Sequence, residues 1–334
     1  MKKILALLLA FIVVAMSSCT LFDGVDENGS SGPVSSSTQS TSGTGEHQHS
    51  FEEIVVAPVC NNRGYTRHIC VCGYEFIDNF INDEGTHSYE RGICKVCGDV
   101  NHAEIVNLIS TEAIKANVSV TTKYITKGFG FEVTTGVSNG SGVIVDYKDG
   151  EYYLLTNNHV VYSKEMSADS TGRKFYVTDY SGNEYQATLI EGSALANYDL
   201  ALLKFSSGEQ YTVLDVASKN AERGELVVSL GQPQGQPNTI TMGEVLNYGR
   251  VTITDSDVTE CNVSFDTLHH DAYINNGSSG GALVDSSLQL IGVNYAGTAH
   301  EQGKPSNSYA IPAEKILEYF DEIDYNYKPF NQGK

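Results

Sequence analysis

The sequence predicts an all-β fold of antiparallel barrels for its larger, C-terminal part, and two observations carry that expectation. Short apolar runs recur from residue 142 to residue 295, each bounded by Gly, Asn, Asp, Ser or Pro. Val, Thr, Tyr and Gly dominate this half, residue types that suit a pleated surface or a tight turn better than a helix. The spacing favours barrels over a sheet built from strand–helix–strand units.

Composition narrows the function before any motif is read. The 334 residues carry 21 basic and 41 acidic side chains, a net charge of −20. Such a surface repels phosphate backbones, so nucleic-acid binding is excluded as the main activity. Residues 1–18 read as a targeting segment. Lys2 and Lys3 precede an apolar run over 4–14, too short to span a bilayer comfortably, and small residues follow. Small residues directly before Cys19 resemble a bacterial lipoprotein processing site, which implies a lipid anchor on Cys19 at the extracellular face of the membrane. Plain secretion is the alternative. Residues 19–46 are rich in Ser, Thr and Gly and poor in large apolar side chains, so a flexible tether is expected.

Residues 47–100 form a module of their own. Five of the seven cysteines fall between Cys60 and Cys97, interleaved with histidines. Cys70-Val-Cys72-Gly and Cys94-Lys-Val-Cys97-Gly are knuckles that bring two thiolates to one tetrahedral ion. The spacing groups His49, Cys60, Cys70 and Cys72 as one ligand set, and His87, Cys94 and Cys97 as a second with His102 a candidate fourth. The segment resembles the small zinc-ribbon-like repeats of Gram-positive surface proteins through His49, Cys60, Gly64-Tyr65, Cys70-Val-Cys72-Gly73, His87 and Cys94-Lys-Val-Cys97-Gly98. Disulfides are the competing reading, but five cysteines leave one unpaired and give the histidines no part. Structural zinc is therefore expected, with every position filled by protein. Cys261, in a β-like run, reads as a half-buried small residue.

The remainder, residues 101–330, starts with a short helix over 101–116, with Ile105, Leu108, Ile109 and Ile114 on one side. Strands follow at 142–145 and 152–156, joined through Lys148-Asp-Gly150, a hairpin turn. Further strands are expected at 174–178, 184–190, 200–205, 226–230, 240–246, 250–254 and 289–295. Pro312 at a first helical position opens a terminal helix with Ile316, Leu317, Phe320 and Ile323 on its apolar face.

Three stretches carry chemistry. Asp271-Ala-Tyr-Ile-Asn-Asn-Gly-Ser-Ser-Gly-Gly-Ala-Leu283 has the glycines of a tight turn that presents one hydroxyl, Ser279, with free backbone N–H groups. His159 lies just past one apolar strand, and Asp199 starts another. A serine hydroxyl attacks only if a base takes its proton, and a buried carboxylate best fixes that base in one tautomer. Each residue alone has a bland reading, as a Gly/Ser loop, a solvated histidine or a turn aspartate. One of each, in the order His, Asp, Ser and each beside a strand end, favours the catalytic reading.

These stretches, with Gly140-Ser-Gly-Val-Ile-Val145, Gly231-Gln-Pro-Gln-Gly235, Ile291-Gly-Val-Asn294 and Tyr309-Ala-Ile-Pro312, resemble the trypsin-like serine proteases of the HtrA type, without a PDZ domain. The resemblance spans residues 116–323. It implies two antiparallel six-stranded β-barrels and a C-terminal helix, with His159 as general base, Asp199 as its orienting carboxylate and Ser279 as nucleophile. Gly277 and Ser279 are implied as the oxyanion hole. Tyr273 is implied at the base of the primary pocket, with Asn294 and Tyr295 along a wall, shaped for small or medium apolar side chains. Polypeptides are the implied substrates, and no cofactor is needed for catalysis. Ser278 departs from the Asn or Asp usual there, which argues against activation by a newly cut N-terminus. Gly-x-Ser-x-Gly also occurs in α/β-hydrolases, but their order of Ser, Asp, His does not fit the chain remaining after Ser279. The reading from another class is an inert protease fold whose Cys/His module binds a partner.

Overall fold

A computed structural model gives the structure of the chain at residues 48–60, 62–81, 87–128, 130–252, 263–297 and 307–330. The targeting segment, the tether, Cys19 and Cys261 lie outside the described residues. No described helix is long and apolar enough to cross a membrane.

Alternation shapes the first sheet, β1 (Phe51–Val56), β2 (Gly64–Cys70) and β3 (Glu75–Ile81), antiparallel in that order. In the central β2 every second residue is buried, among them Thr66, His68 and Cys70. A two-residue ribbon of β4 (Tyr89–Glu90) and β5 (Ile93–Cys94) follows. The helix predicted over 101–116 divides into α1 (His102–Thr111) and a 3₁₀ turn at Ala113–Ala116. Asn101 caps α1, its side chain accepting the Glu104 amide at 3.2 Å. Ile105 and Ile109, one helical turn apart, are both fully buried in the core shared with the barrels.

The first barrel comprises β6 (Asn117–Gly128), β7 (Phe131–Lys148) and β8 (Glu151–Thr156), then α2 (Asn158–Val161) and α3 (Lys164–Ala168). β9 (Gly172–Thr178), β10 (Glu184–Leu189) and β11 (Ala201–Phe205) complete it. It closes in the order β10-β11-β8-β7-β6-β9. The expected turn between β7 and β8 is present: Asp149 and Gly150 have φ of 55° and 82°, the left-handed pair of a tight two-residue hairpin. The outer parts of β6 and β7 form an arm absent from the sequence reading. Its residues are Thr, Ser and Gly as often as apolar, and its outer face is solvated, so the hydrophobic alternation is weak there.

The second barrel closes as β12-β13-β14-β17-β16-β15. Its strands are β12 (Leu226–Gly231), β13 (Thr239–Gly249), β14 (Thr267–His270), β15 (Ala282–Val284), β16 (Leu290–Gly297) and β17 (Ser308–Pro312). The strand expected from residue 250 does not begin there: 250–252 are outside any strand, because β13 carries the ladder on to Gly249. The last helix, α4 (Ala313–Glu322), starts one residue later than expected, with Pro312 extended at its N-cap. It buries Ile316, Tyr319 and Phe320, and the Tyr319 hydroxyl donates to the Ser193 carbonyl at 2.7 Å. The helix that leaves the second barrel is thereby fastened to the first. Burial of each such aromatic side chain is worth about 1.5–3 kcal/mol.

One buried group sets an acid limit on this barrel. His270 is fully buried beside the Asn294 side chain. Burial lowers its pKa from 6.5 to about 3. The unfolded chain therefore takes up this proton first as pH falls, so the stability is present above about pH 6.5 and declines toward pH 3. Urea midpoints measured between pH 7 and pH 5, above most carboxylate titration, are expected to fall in the wild type and to stay flatter in His270→Gln.

Candidate active site and metal-ligand clusters

The His159 and Asp199 side chains meet at one end of the first barrel because α2 starts just after β8 ends, and Asp199 stands two residues before β11, the partner of β8. Asp199 Oδ2 lies 2.8 Å from His159 Nδ1, and Oδ1 accepts the His159 amide at 3.0 Å. The carboxylate is fully buried, and the imidazole is mostly so. A second contact fixes the aspartate's backbone: Asn157 Nδ2 donates to the Asp199 carbonyl at 2.9 Å. Asp199 holds φ 50°, a left-handed conformation that Asp tolerates better than most residues. Nδ1–H is thus committed to the carboxylate, which leaves Nε2 as the ring's acceptor nitrogen.

Ser279 sits in the turn between β14 and β15, held by backbone from both barrels. Its carbonyl accepts the Ser141 amide at 2.7 Å, and the Ser141 hydroxyl donates to the Gly277 carbonyl at 2.7 Å. Gly280 N–H donates to the Asn294 carbonyl at 2.8 Å, and Asn294 N–H to that of Gly281 at 2.9 Å. Glycine is required at 280: its φ is +87°, and a Cβ there would lie 2.1 Å from the Ser141 oxygen and 2.4 Å from Thr156 Oγ1. Gly140 links the two parts of the site, because a Cβ there would meet both Val160, next to His159, and the Ser279 carbonyl. Gly277 has φ 98°. Among the described residues the amides of Gly277 and Ser279 donate to no carbonyl, whereas those of Ser278, Gly280 and Gly281 do.

The implied pocket residues separate. Tyr273 is half-buried, and its hydroxyl accepts from Asn275 Nδ2 at 2.7 Å. Asn294 and Tyr295 are interior, at 0% and 2% exposure, and Asn294 donates to Ser229 Oγ at 2.9 Å. β16 is covered on both faces there. Ser141 was missed by role from sequence. Its signal is the Gly140-Ser141-Gly142 triplet, three small residues where two backbones come close.

The Cys/His ligands regroup. Cys60, His87, Cys94 and Cys97 place their ligand atoms within 4.8 Å of one another, and so do His49, Cys70 and Cys72. Cys60 therefore belongs with the second knuckle, not with His49. The register explains it: β1 and β2 pair Phe51 with Cys70 at one end and Val56 with Tyr65 at the other. Cys60 lies in the loop at the far end, about 17 Å from Cys70 at some 3.4 Å per residue. His102 is exposed at the start of α1 and outside both clusters.

The donor chemistry suits zinc. Zn–S of about 2.3 Å and Zn–N of about 2.0 Å give tetrahedral edges of about 3.8 Å between sulfurs and about 3.5 Å from sulfur to nitrogen. Cys60 and Cys94 sulfurs lie 3.5 Å apart, Cys97 Sγ is 3.4 Å from His87 Nδ1, and Cys72 Sγ is 3.3 Å from His49 Nδ1. The amides of Cys97 and Val96 hold the Cys94 thiol down at about 5, as a knuckle does for a thiolate ligand, whereas burial pushes Cys60 up to about 12. The five described cysteines are all unbridged.

This geometry has known relatives. Residues 140–293 match the family model of the trypsin-like peptidase domain. The chain is 34% identical over 191 residues to the serine protease Do-like HtrB of Bacillus subtilis, a match covering 56% of this chain and 39% of that protein. It is 33% identical over 178 residues to the periplasmic serine endoprotease DegP of Escherichia coli, covering 53% and 34%. The solved structure of the HtrA-type protease AlgW with a tripeptide superposes with a TM-score of 0.50 at 30% identity, over 65% of this chain and 62% of that one. The two-barrel unit has the architecture of the trypsin-like peptidase domain. Among proteins of that architecture it is similar to proteases of the HtrA type. The chain spans 39% and 34% of the lengths of these two curated relatives.

Gly280→Ala is expected to destabilise the fold by at least about 2 kcal/mol, since the clash is with backbone. Gly182→Ala has a similar φ of +92° but open space around it, and should cost about 1 kcal/mol. Urea titrations of the two variants check the contrast.

Proposed function

We propose that this chain is a serine endopeptidase of the extracellular membrane face, lipid-anchored at Cys19, with residues 101–330 as its catalytic unit. The single observation that carries the proposal is the two-point clamp of buried Asp199 on His159, at 2.8 Å and 3.0 Å, beside the doubly held Ser279 turn.

The chemistry follows from those atoms. His159 Nε2 takes the Ser279 hydroxyl proton as Oγ attacks the carbonyl carbon, and the negative charge moves to the carbonyl oxygen. The Gly277 and Ser279 amides are the donors for that oxyanion. Asp199 stabilises the imidazolium and stays ionised. The imidazolium then protonates the leaving nitrogen, the C–N bond breaks, and an acyl-serine remains. Water repeats the sequence with His159 as base and restores the serine. Tyr273 bounds the pocket for the acyl-side residue and favours small or medium apolar side chains.

Residues 47–100 serve as a structural module in this reading. Cys60, His87, Cys94 and Cys97 would hold one zinc ion, and His49, Cys70 and Cys72 would contribute to a second. Zinc supplies cross-linking there and takes no part in peptide hydrolysis.

A soluble form starting after Cys19 is expected to react with a fluorophosphonate at Ser279, located by mass spectrometry, and to cleave casein. Ser279→Ala and His159→Ala should lower cleavage by roughly 10⁴- to 10⁶-fold. Folded wild type that takes no label and cuts nothing would favour an inert protease fold whose aromatic face (exposed Tyr74 and Phe76 beside half-buried Phe51) binds a partner. Asp199→Asn leaves size unchanged but removes the charge and the tautomer control. It should lower kcat by about 10⁴-fold with a smaller effect on KM.

A further inference from the structure

The two Cys/His clusters differ in what they touch. The Cys60–His87–Cys94–Cys97 cluster is built into the attachment of the module to the barrels. Gly98 N–H donates to the Cys94 carbonyl at 2.9 Å, Cys94 N–H to that of Asp99 at 2.8 Å, and Asn101 N–H to that of Gly92 at 2.7 Å. Ile93 bridges to Val100. The knuckle therefore runs straight into the cap of α1. Gly92, at φ +79°, lies so close to that helix that a Cβ would stand 2.3 Å from Ile105 Cγ1. Ile105 in turn is fully buried in the core of the barrels, with Ile93 and Val100 packed against it.

On the other side the same segment faces the second barrel. Glu90, Arg91, Ile93 and Lys95 line a groove together with Ser286 and Ser287. Arg91 also acts electrostatically on Asp285, a carboxylate whose Oδ1 accepts the Ser287 and Gln289 amides at 2.9 Å and 2.8 Å. Those residues form the turn between β15 and β16. β15 begins three residues after Ser279, and β16 carries Asn294, whose backbone holds Gly280 and Gly281.

The segment has little to keep its own shape. β4 and β5 pair over two residues, far below what is stable alone. Cys60 comes from 34 residues upstream, so a common metal closes a long loop as well as the knuckle. The His49 cluster has different surroundings: His49 stacks on Phe51 and lies against Tyr74, within its own sheet.

We infer that a metal held by Cys60, His87, Cys94 and Cys97 braces the protease unit, fixing the knuckle at 91–100 between α1 and the turn at 285–289 that follows the Ser279 strand. The inference rests on the zinc and protease readings above and assigns this role to one cluster alone. Metal at the His49 cluster orders the outer sheet and leaves the barrels unaffected.

The test uses the whole chain after Cys19, loaded with zinc, with Cys97→Ser and Cys72→Ser, each removing an exposed ligand from one cluster. Zinc content, hydrogen exchange by mass spectrometry and the rate of fluorophosphonate labelling are read on each. Cys97→Ser should lose zinc, exchange at least about tenfold faster over 102–111 and 282–290, and label more slowly. Cys72→Ser should lose zinc with both segments and the labelling rate unchanged. If Cys97→Ser does not fold, stripping the wild type with a chelator and restoring zinc must reverse the same exchange changes. Loss of zinc in Cys97→Ser with unchanged exchange overturns the brace, as does an equal effect from Cys72→Ser. A wild type that binds no zinc removes the metal reading and the brace with it. Absence of labelling in a zinc-loaded wild type whose exchange still responds to Cys97→Ser sinks the protease reading while leaving the brace standing.

Discussion

Every polar atom of Ser141 is tied down, and the site depends on those ties. Its amide reaches the Ser279 carbonyl, its hydroxyl donates to the Gly277 carbonyl and accepts from the Gln232 amide, and its carbonyl accepts the Thr156 hydroxyl. One residue of β7 thus joins the end of β8, the end of β12 and the turn that carries Ser279. The ties work because the neighbouring backbones have almost no side chains between them. Gly140, Gly142, Gly280 and Gly281 each leave a space in which a Cβ would meet another atom at under 3 Å. Glycine loses more conformational freedom on folding than any other residue, so four in one place is a concession to close approach.

The second constraint is electrostatic. A fully buried carboxylate is costly unless its oxygens are matched by donors. Asp199 has its match in the His159 amide and ring, and Asn157 holds the backbone behind it. The same contacts that make the charge tolerable also select the tautomer with a proton on Nδ1. Stability and chemistry therefore draw on one set of bonds. His270 shows the opposite solution, a buried imidazole kept neutral because burial disfavours its charge.

The N-terminal module is organised on another scale. Its outer sheet has only one strand with a buried face, and Phe51, His68, Tyr74 and Phe76 pack their rings against each other on one side of it. Too little apolar surface is covered for such a segment to be stable alone, and the Cys/His clusters are placed where a metal would supply what a hydrophobic core does not. Its last part, at Ile93 and Val100, packs against the larger core that contains Ile105.

Sequence alone determined the fold class, most of the barrel strands and the terminal helix, and it singled out His159, Asp199 and Ser279 as candidates. These are local properties: alternation marks a strand, Asp-Gly marks the turn at 149–150, and a Gly/Ser run marks a loop that must present a hydroxyl. The seven candidate Cys and His ligands were equally legible, since knuckle spacing is local too. Their grouping was not. Cys60 lies ten residues before Cys70 but is carried to the far end of the β1–β2 hairpin, and strand register, set by pairing, decides which knuckle it joins. The β6–β7 arm, the role of Ser141 and the interior position of Asn294 and Tyr295 were likewise decided only by tertiary structure. Each depends on which backbone lies opposite, and residue type alone does not carry that information until the barrels close.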